Sequence, residues 1–203
     1  MSEARQLRRF DFEPAYVVEV EPEYPATGEW SCPVFAFDPD GRVIDEAGWR
    51  FGMPRVIRVT PTDAAEWVGL FPARLPGRAD GVFAGPGAGQ MCVVVDGLAQ
   101  VVRVDEPAAG AVVVGEPVNQ VVPVAGAALL LLVTYTDLVA IGPDGVAWES
   151  ARLALDGLRV VAASAAGIRC TADSWQMDGS TESFVVAVAT GELGCRGGDR
   201  AQD

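Results

Sequence analysis

Acidic and indole side chains gather in the last third of the chain, where Glu149, Asp156, Asp173 and Asp178 flank Trp148 and Trp175. Two carboxyls facing each other across a sugar, with aromatic rings to stack on it, are what glycoside hydrolysis requires. The same six residues would also serve a carbohydrate-binding or other ligand site without catalysis. Each tryptophan lies in or beside an apolar, strand-like run, so core packing with the indole N–H on a partner is the competing role. With 28 acidic residues in the chain, some stand near tryptophans by chance.

Other motifs point less far. Gly85-Pro86-Gly87-Ala88-Gly89 has the glycines of a phosphate cradle, but a dinucleotide fingerprint needs a strand before it and a helix after it, and a strand-like run, 90–95, follows here. Asp38-Pro39-Asp40-Gly41 and 173–178 have the look of calcium loops without the further acidic ligands at the required spacing. Turn chemistry accounts for both.

The chain contains no histidine, and all 15 of its basic residues are arginine. Serine, cysteine and zinc chemistries built on histidine are thereby excluded. A formal net charge of -13 opposes binding to phosphate backbones, so nucleic acid is not an expected partner. Cys32, Cys92, Cys170 and Cys195 lie far apart with no C-x-x-C pair, which reads as reduced thiols and no metal site. Residues 1–14 lack an apolar signal core, and the longest apolar run, 125–133, is too short for a transmembrane helix. The expected location is the cytoplasm, with no membrane partner and no cofactor.

The elements that must position these groups read as strands. The 23 glycines and 14 prolines are spread along the chain, as frequent turns between short elements would require. After Tyr16-Val17, residues 18–21 alternate apolar and acidic side chains. Val34-Phe35-Ala36-Phe37, the turn Asp38-Pro39-Asp40-Gly41 and Arg42-Val43-Ile44-Asp45 form a hairpin with good turn chemistry. Leu138 to Ile141, Gly142-Pro143-Asp144-Gly145 and Val146 to Ser150 form a second. Valine- and leucine-rich runs from residue 91 onward complete a mostly β chain: an antiparallel sandwich, barrel or propeller-like meander. One short helix is expected near residues 61–68, with Thr60 as cap and Pro61 at the first helical position. The glycine- and proline-rich stretch 71–90 reads as a loop.

The second hairpin, with Trp148 shortly after its turn and Thr190-Gly191 closing the last strand, resembles one blade of the propellers built from quinoprotein-type repeats. The resemblance covers 138–192 and implies a β-meander there, with no regular repeat at 40–50 residues along the chain. The expected organisation is a flexible segment 1–14, a single β-rich domain 15–193 and a disordered tail 194–203. The domain can be read as two halves, 15–70 and 90–193.

With no catalytic motif and a strong negative balance, the leading functional expectation is a non-catalytic protein-interaction protein: an inhibitor, an immunity-type protein or a structural adaptor. Its partner would be another, basic protein. Acids are densest from Glu13 to Glu46, so Glu19, Glu21 and Glu23 are candidate contact charges, and Trp30 and Trp49 candidate anchors. The alternative is a β-domain enzyme or ligand-binding protein, as in carbohydrate binding or hydrolysis, using Trp148, Glu149, Asp156, Asp173, Trp175 and Asp178.

Overall fold

The computed structural model describes residues 6–73, 79–174 and 179–197. Strand accounts for 47% and helix for 3%, so the mostly β expectation holds. Among the described residues four open sheets carry the fold as a sandwich-like or propeller-like meander, and none of them closes into a barrel. Their contacts cluster into two compact units, 1–118 and 119–203.

The first unit runs β1 (Leu7–Arg8), β2 (Tyr16–Val20), β3 (Val34–Phe37), β4 (Val43–Ile44), β5 (Arg55–Pro61), β6 (Trp67–Phe71), β7 (Gly81–Ala84), β8 (Gln90–Val95), β9 (Leu98–Arg103) and β10 (Ala111–Val113). One sheet is ordered β1-β7-β8-β9-β10 and the other β2-β5-β6-β3-β4. Period-2 alternation turns Tyr16, Val20, Phe37, Ile57, Val59, Trp67 and Phe71 of the second sheet onto Val82, Met91, Val93, Val95, Val102 and Val104 of the first, forming one core. The β3–β4 turn is tied down at both ends: Gln100 Nε2 donates to the Asp38 carbonyl at 2.7 Å, and Ala111 N donates to the Gly41 carbonyl at 2.7 Å.

The second unit runs β11 (Gln120–Pro123), β12 (Leu130–Val133), β13 (Leu138–Gly142), β14 (Gly145–Glu149), β15 (Arg159–Ser164), β16 (Gly167–Asp173), β17 (Thr181–Val186) and β18 (Leu193–Gly197). Its two sheets, β11-β12-β13-β14 and β15-β16-β17-β18, are sequential antiparallel meanders that share a core around Leu131, Val133, Leu138, Val160, Ile168, Cys170 and Phe184. Between the sheets the Gln120 side chain acts as a strand partner: its Nε2 donates to the Val160 carbonyl at 3.0 Å, and its Oε1 accepts from Val160 N at 3.1 Å.

Two expectations are corrected. There is no helix near residues 61–68. Pro61 ends β5, where a missing N–H is tolerated, exposed residues 62–65 turn the chain, and Trp67 to Phe71 form a buried strand between β5 and β3. Backbone pairing to two neighbours outweighs a good local cap. Within the presumed loop 71–90, Gly81–Ala84 is a fully buried strand between β1 and β8, while Arg74 and Arg78 lie outside the described residues. Short strands also form toward both ends of the described residues. Leu7–Arg8 pairs in parallel with β7, anchored by Phe10 stacked on Phe83 at 6.0 Å, and Leu193–Gly197 pairs with β17.

Each unit holds a buried thiol that titrates with folding. Burial pushes Cys92 in β8 and Cys170 in β16 up to about 12, from a reference near 9 that the unfolded chain retains. A raised native value means their stabilisation is complete below about pH 9 and is lost as pH rises toward 12. The unfolding free energy from denaturant titrations is therefore expected to fall by roughly 1 kcal/mol per thiol between pH about 8 and about 10. A Cys92→Ala, Cys170→Ala double variant should flatten that decline, and an equal decline in the variant would refute it.

Candidate functional site

The outward face of the β2-β5-β6-β3-β4 sheet gathers the residues proposed for partner binding. Ala36, Val68 and Leu70 form a small buried cluster there, and Trp30, Cys32, Val34, Ile44, Trp49 and Val56 pack against it, half-buried. The Arg58 guanidinium lies over the Trp30 ring at 5.2 Å, and Tyr24 meets the same ring edge-on at 5.3 Å. Trp49 donates its Nε1 proton to the Gly52 carbonyl at 2.6 Å and meets Phe51 edge-on. Both indoles are thus lids on a satellite core with a partly open rim. Met53, Val17 and Tyr24 stand out from this region, 90%, 60% and 58% exposed.

Two of the three candidate acids have partners that sequence reading missed. Glu19 sits directly across from Arg58 in the β2–β5 register and pairs with it at 3.2 Å. Arg55 reaches Glu21 at 3.6 Å and Asp80 at 2.9 Å. For Glu19 the signal was present as Arg58 in the neighbouring strand, and cross-strand opposition of unlike charges is the rule that reads it. Exposed Glu23, Glu29, Asp45 and Glu46 carry the remaining negative charge of the two loops that flank the indoles, with Arg50 the positive charge among them. Burial and then the neighbouring Glu66 carboxylate push the Cys32 thiol up, away from the reactive thiolate.

The carboxylate–tryptophan constellation is only partly assembled. Asp156 and Asp173 line one cleft of about 350 Å³ together with Leu155, Ser174, Gly179 and Ser180. Asp173 N donates to the Asp156 carbonyl at 3.3 Å, and Ser174 Oγ donates to Glu182 at 3.0 Å. Trp148 turns elsewhere. Its Nε1 donates to the Val188 carbonyl at 2.7 Å, and its ring lies on Gly191, at the β17–β18 turn. That turn adjoins Val186, which pairs with Ile168, whereas Asp173 pairs with Thr181. The five steps from Ile168 to Asp173 span about 17 Å at the rise of a strand. Trp148 instead walls a second cleft, of about 590 Å³, with Ala127, Leu129, Ala147, Ala187 and Val188. Glu149, next in the edge strand, is exposed on the other side. Trp175 and Asp178 lie outside the described residues.

The remaining motifs resolve into turns. Gly85 to Gly89 join antiparallel β7 and β8, with Gln90 N donating to the Gly87 carbonyl at 2.9 Å. Asp38 Oδ1 accepts from the backbone N–H groups of Asp40 and Arg42, at 2.9 and 2.8 Å. Among the described residues, no helix is long and apolar enough to cross a membrane.

No family model matches the chain, and no curated protein matches it. Among solved structures, it is similar to the crystal structure of the N-terminal domain of Nup159, at a TM-score of 0.40 and 12% identity over 95% of this chain. The chain spans 54% of that structure's length.

Proposed function

We propose that this chain is a non-catalytic interaction module, and that a basic protein docks on the outward face of its β2-β5-β6-β3-β4 sheet. The observation that carries this reading is the setting of Trp30 and Trp49, half-buried beside two loops whose exposed charges are mainly negative, Glu23, Glu29, Asp45 and Glu46 against Arg50. Half-buried indoles with an exposed methionine and tyrosine beside them supply anchor area, and a surrounding acidic rim accelerates encounter with a cation-rich surface. Inhibitor, immunity-type protein and adaptor are the roles this arrangement suits.

The test pairs two baits, the wild-type chain and a Glu23→Gln, Glu29→Gln, Glu46→Gln variant, in native extract at low salt. A basic partner held by the wild type and lost from the variant is the expected result. With that partner purified, neutralisation should slow association by roughly tenfold at low salt and leave dissociation nearly unchanged, because rim charges act on the on-rate. Equal association rates at low and high salt for both baits would remove the acidic rim from the mechanism.

A second reading, a ligand-binding or carbohydrate-hydrolysing β domain, rests on Asp156 and Asp173 lining one cleft. It is the weaker reading, because Trp148 stacks at the other end of the sheet, where it offers no platform for a sugar held between those acids.

A further inference from the structure

Five Asp-Gly steps lie wholly within the described residues: Asp40-Gly41, Asp80-Gly81, Asp96-Gly97, Asp144-Gly145 and Asp156-Gly157. The step is chemically special, since a glycine nitrogen has no neighbouring Cβ to shield it from the preceding carboxyl. In four of the five, the fold employs the groups that would react. Gly41 N donates to the Asp38 carbonyl at 2.9 Å, and Gly97 N to the Ala79 carbonyl at 3.2 Å. The Asp80 carboxylate is held by Arg55 at 2.9 and 3.2 Å, while Gly81 pairs with Val94 in its sheet. Gly145 pairs with Gly142 in the β13–β14 hairpin.

At the fifth step the arrangement is reversed. The Gly157 N–H points at the carboxyl of its own predecessor, 2.6 Å from Asp156 Oδ1. Asp156 is exposed, and Gly157, at φ +69°, is partly open to water in the connection between β14 and β15. We propose that Asp156-Gly157 is a site of spontaneous covalent modification, converting through a succinimide to isoaspartate in the native fold faster than the other four steps. The fold holds the Gly157 nitrogen beside the Asp156 carboxyl, a proximity of the two reacting groups that a free chain samples only in passing.

The chemistry needs nothing but water. The Gly157 nitrogen attacks Cγ of the protonated Asp156 carboxyl; the N–Cγ bond forms, a C–O bond breaks, and the amide proton leaves with the hydroxyl as water. Water then adds to one ring carbonyl and breaks its bond to nitrogen. Opening at Cγ restores aspartate, and opening at the main-chain carbonyl of residue 156 gives isoaspartate. No electrons are transferred, and mass is unchanged overall. The product carries one extra methylene in its main chain, beneath the Asp173 carboxyl, which lies so close over Gly157 that a Cβ there would come within 2.6 Å of Asp173 Cγ. Isomerisation would therefore remodel the Asp156–Asp173 cleft, whichever function that cleft serves.

The experiment ages the full chain at neutral pH and physiological temperature, once native and once in concentrated guanidinium. Isoaspartate at each step is then counted by peptide mapping with electron-transfer fragmentation. In denaturant the five steps, sharing one dipeptide chemistry, should convert at similar rates. In the native chain Asp156 should lead the other four by about fivefold or more, and Asp156→Glu, whose ring would be one atom larger, should abolish the signal at 156 while leaving the other four unchanged. A native chain in which Asp156 converts no faster than Asp40, Asp80, Asp96 or Asp144 would overturn the proposal.

Discussion

Trp67→Ala should destabilise the first unit by about 3–5 kcal/mol, the cost of emptying a fully packed indole site. Trp67 is 2% exposed in the central strand β6. Its ring meets Phe35 and Phe37 edge-on at 5.8 and 6.4 Å, and Phe37 in turn stacks on Phe71 at 4.8 Å. Its Nε1 donates to the Val104 carbonyl at 2.9 Å, so one side chain fastens the second sheet to the chain leaving β9 of the first. Gly69, two residues on, has no side chain because a Cβ there would press into the rings of Trp67 and Phe71. Trp67→Phe separates the two contributions: it keeps most of the apolar volume but leaves a buried carbonyl without its donor, at roughly 1–3 kcal/mol. Urea unfolding followed by tryptophan fluorescence and circular dichroism measures both variants. A loss below about 1 kcal/mol for Trp67→Ala would mean that the core refills around the gap.

Gly41→Ala should cost more than Gly145→Ala, although the two glycines close hairpins of similar sequence. Both have positive φ, +83° and +127°, so both substitutions carry backbone strain, roughly 1–2 kcal/mol. At Gly145 a Cβ meets open space. At Gly41 it would be driven into the Ala111 carbonyl, a backbone oxygen on the strand that the turn is bonded to. Relieving that clash means giving up the Ala111–Gly41 hydrogen bond or moving β10, and the total is expected to reach about 3 kcal/mol or more. Thermal melts of the two variants side by side decide it, and equal shifts would show that the β3–β4 turn is only loosely seated on β10.

The two hairpins were legible because their information is local: proline at the first turn corner and glycine at the positive-φ position name the turn before any tertiary contact exists. What was not legible depended on distant partners. Thr60-Pro61 is a good helix start by its neighbours, but Val68 and Leu70 pair with Val34 and Ala36, more than thirty residues away. Gly81-Val82-Phe83-Ala84 is too short and too glycine-flanked to announce a strand, and becomes one because Leu7–Arg8 and β8 take its two edges. The candidate sites divide in the same way. Glu19 reads as a free charge until register sets Arg58 across from it. Asp156 and Asp173 share a cleft because β15 and β16 fold back on each other, while the adjacent Trp148 is carried away by the indole contact with Val188.

The paired hydrogen bonds from Gln120 to Val160 also bear on what the second unit can recruit or must resist. An exposed strand border is a template for any extended peptide, including another molecule of the same chain. Here β11 and β15 are each the border strand of a sheet, and a single amide occupies the donor and acceptor of Val160 that an incoming peptide would need. A parallel bridge between Ala125 and Ser164 closes the same seam farther along. Strand invasion is thereby directed away from this seam and toward β14 and β18, the outer borders of the two meanders. Gln120→Leu would leave both Val160 groups without the amide that blocks them, turning a sealed seam into a growth point for fibrils.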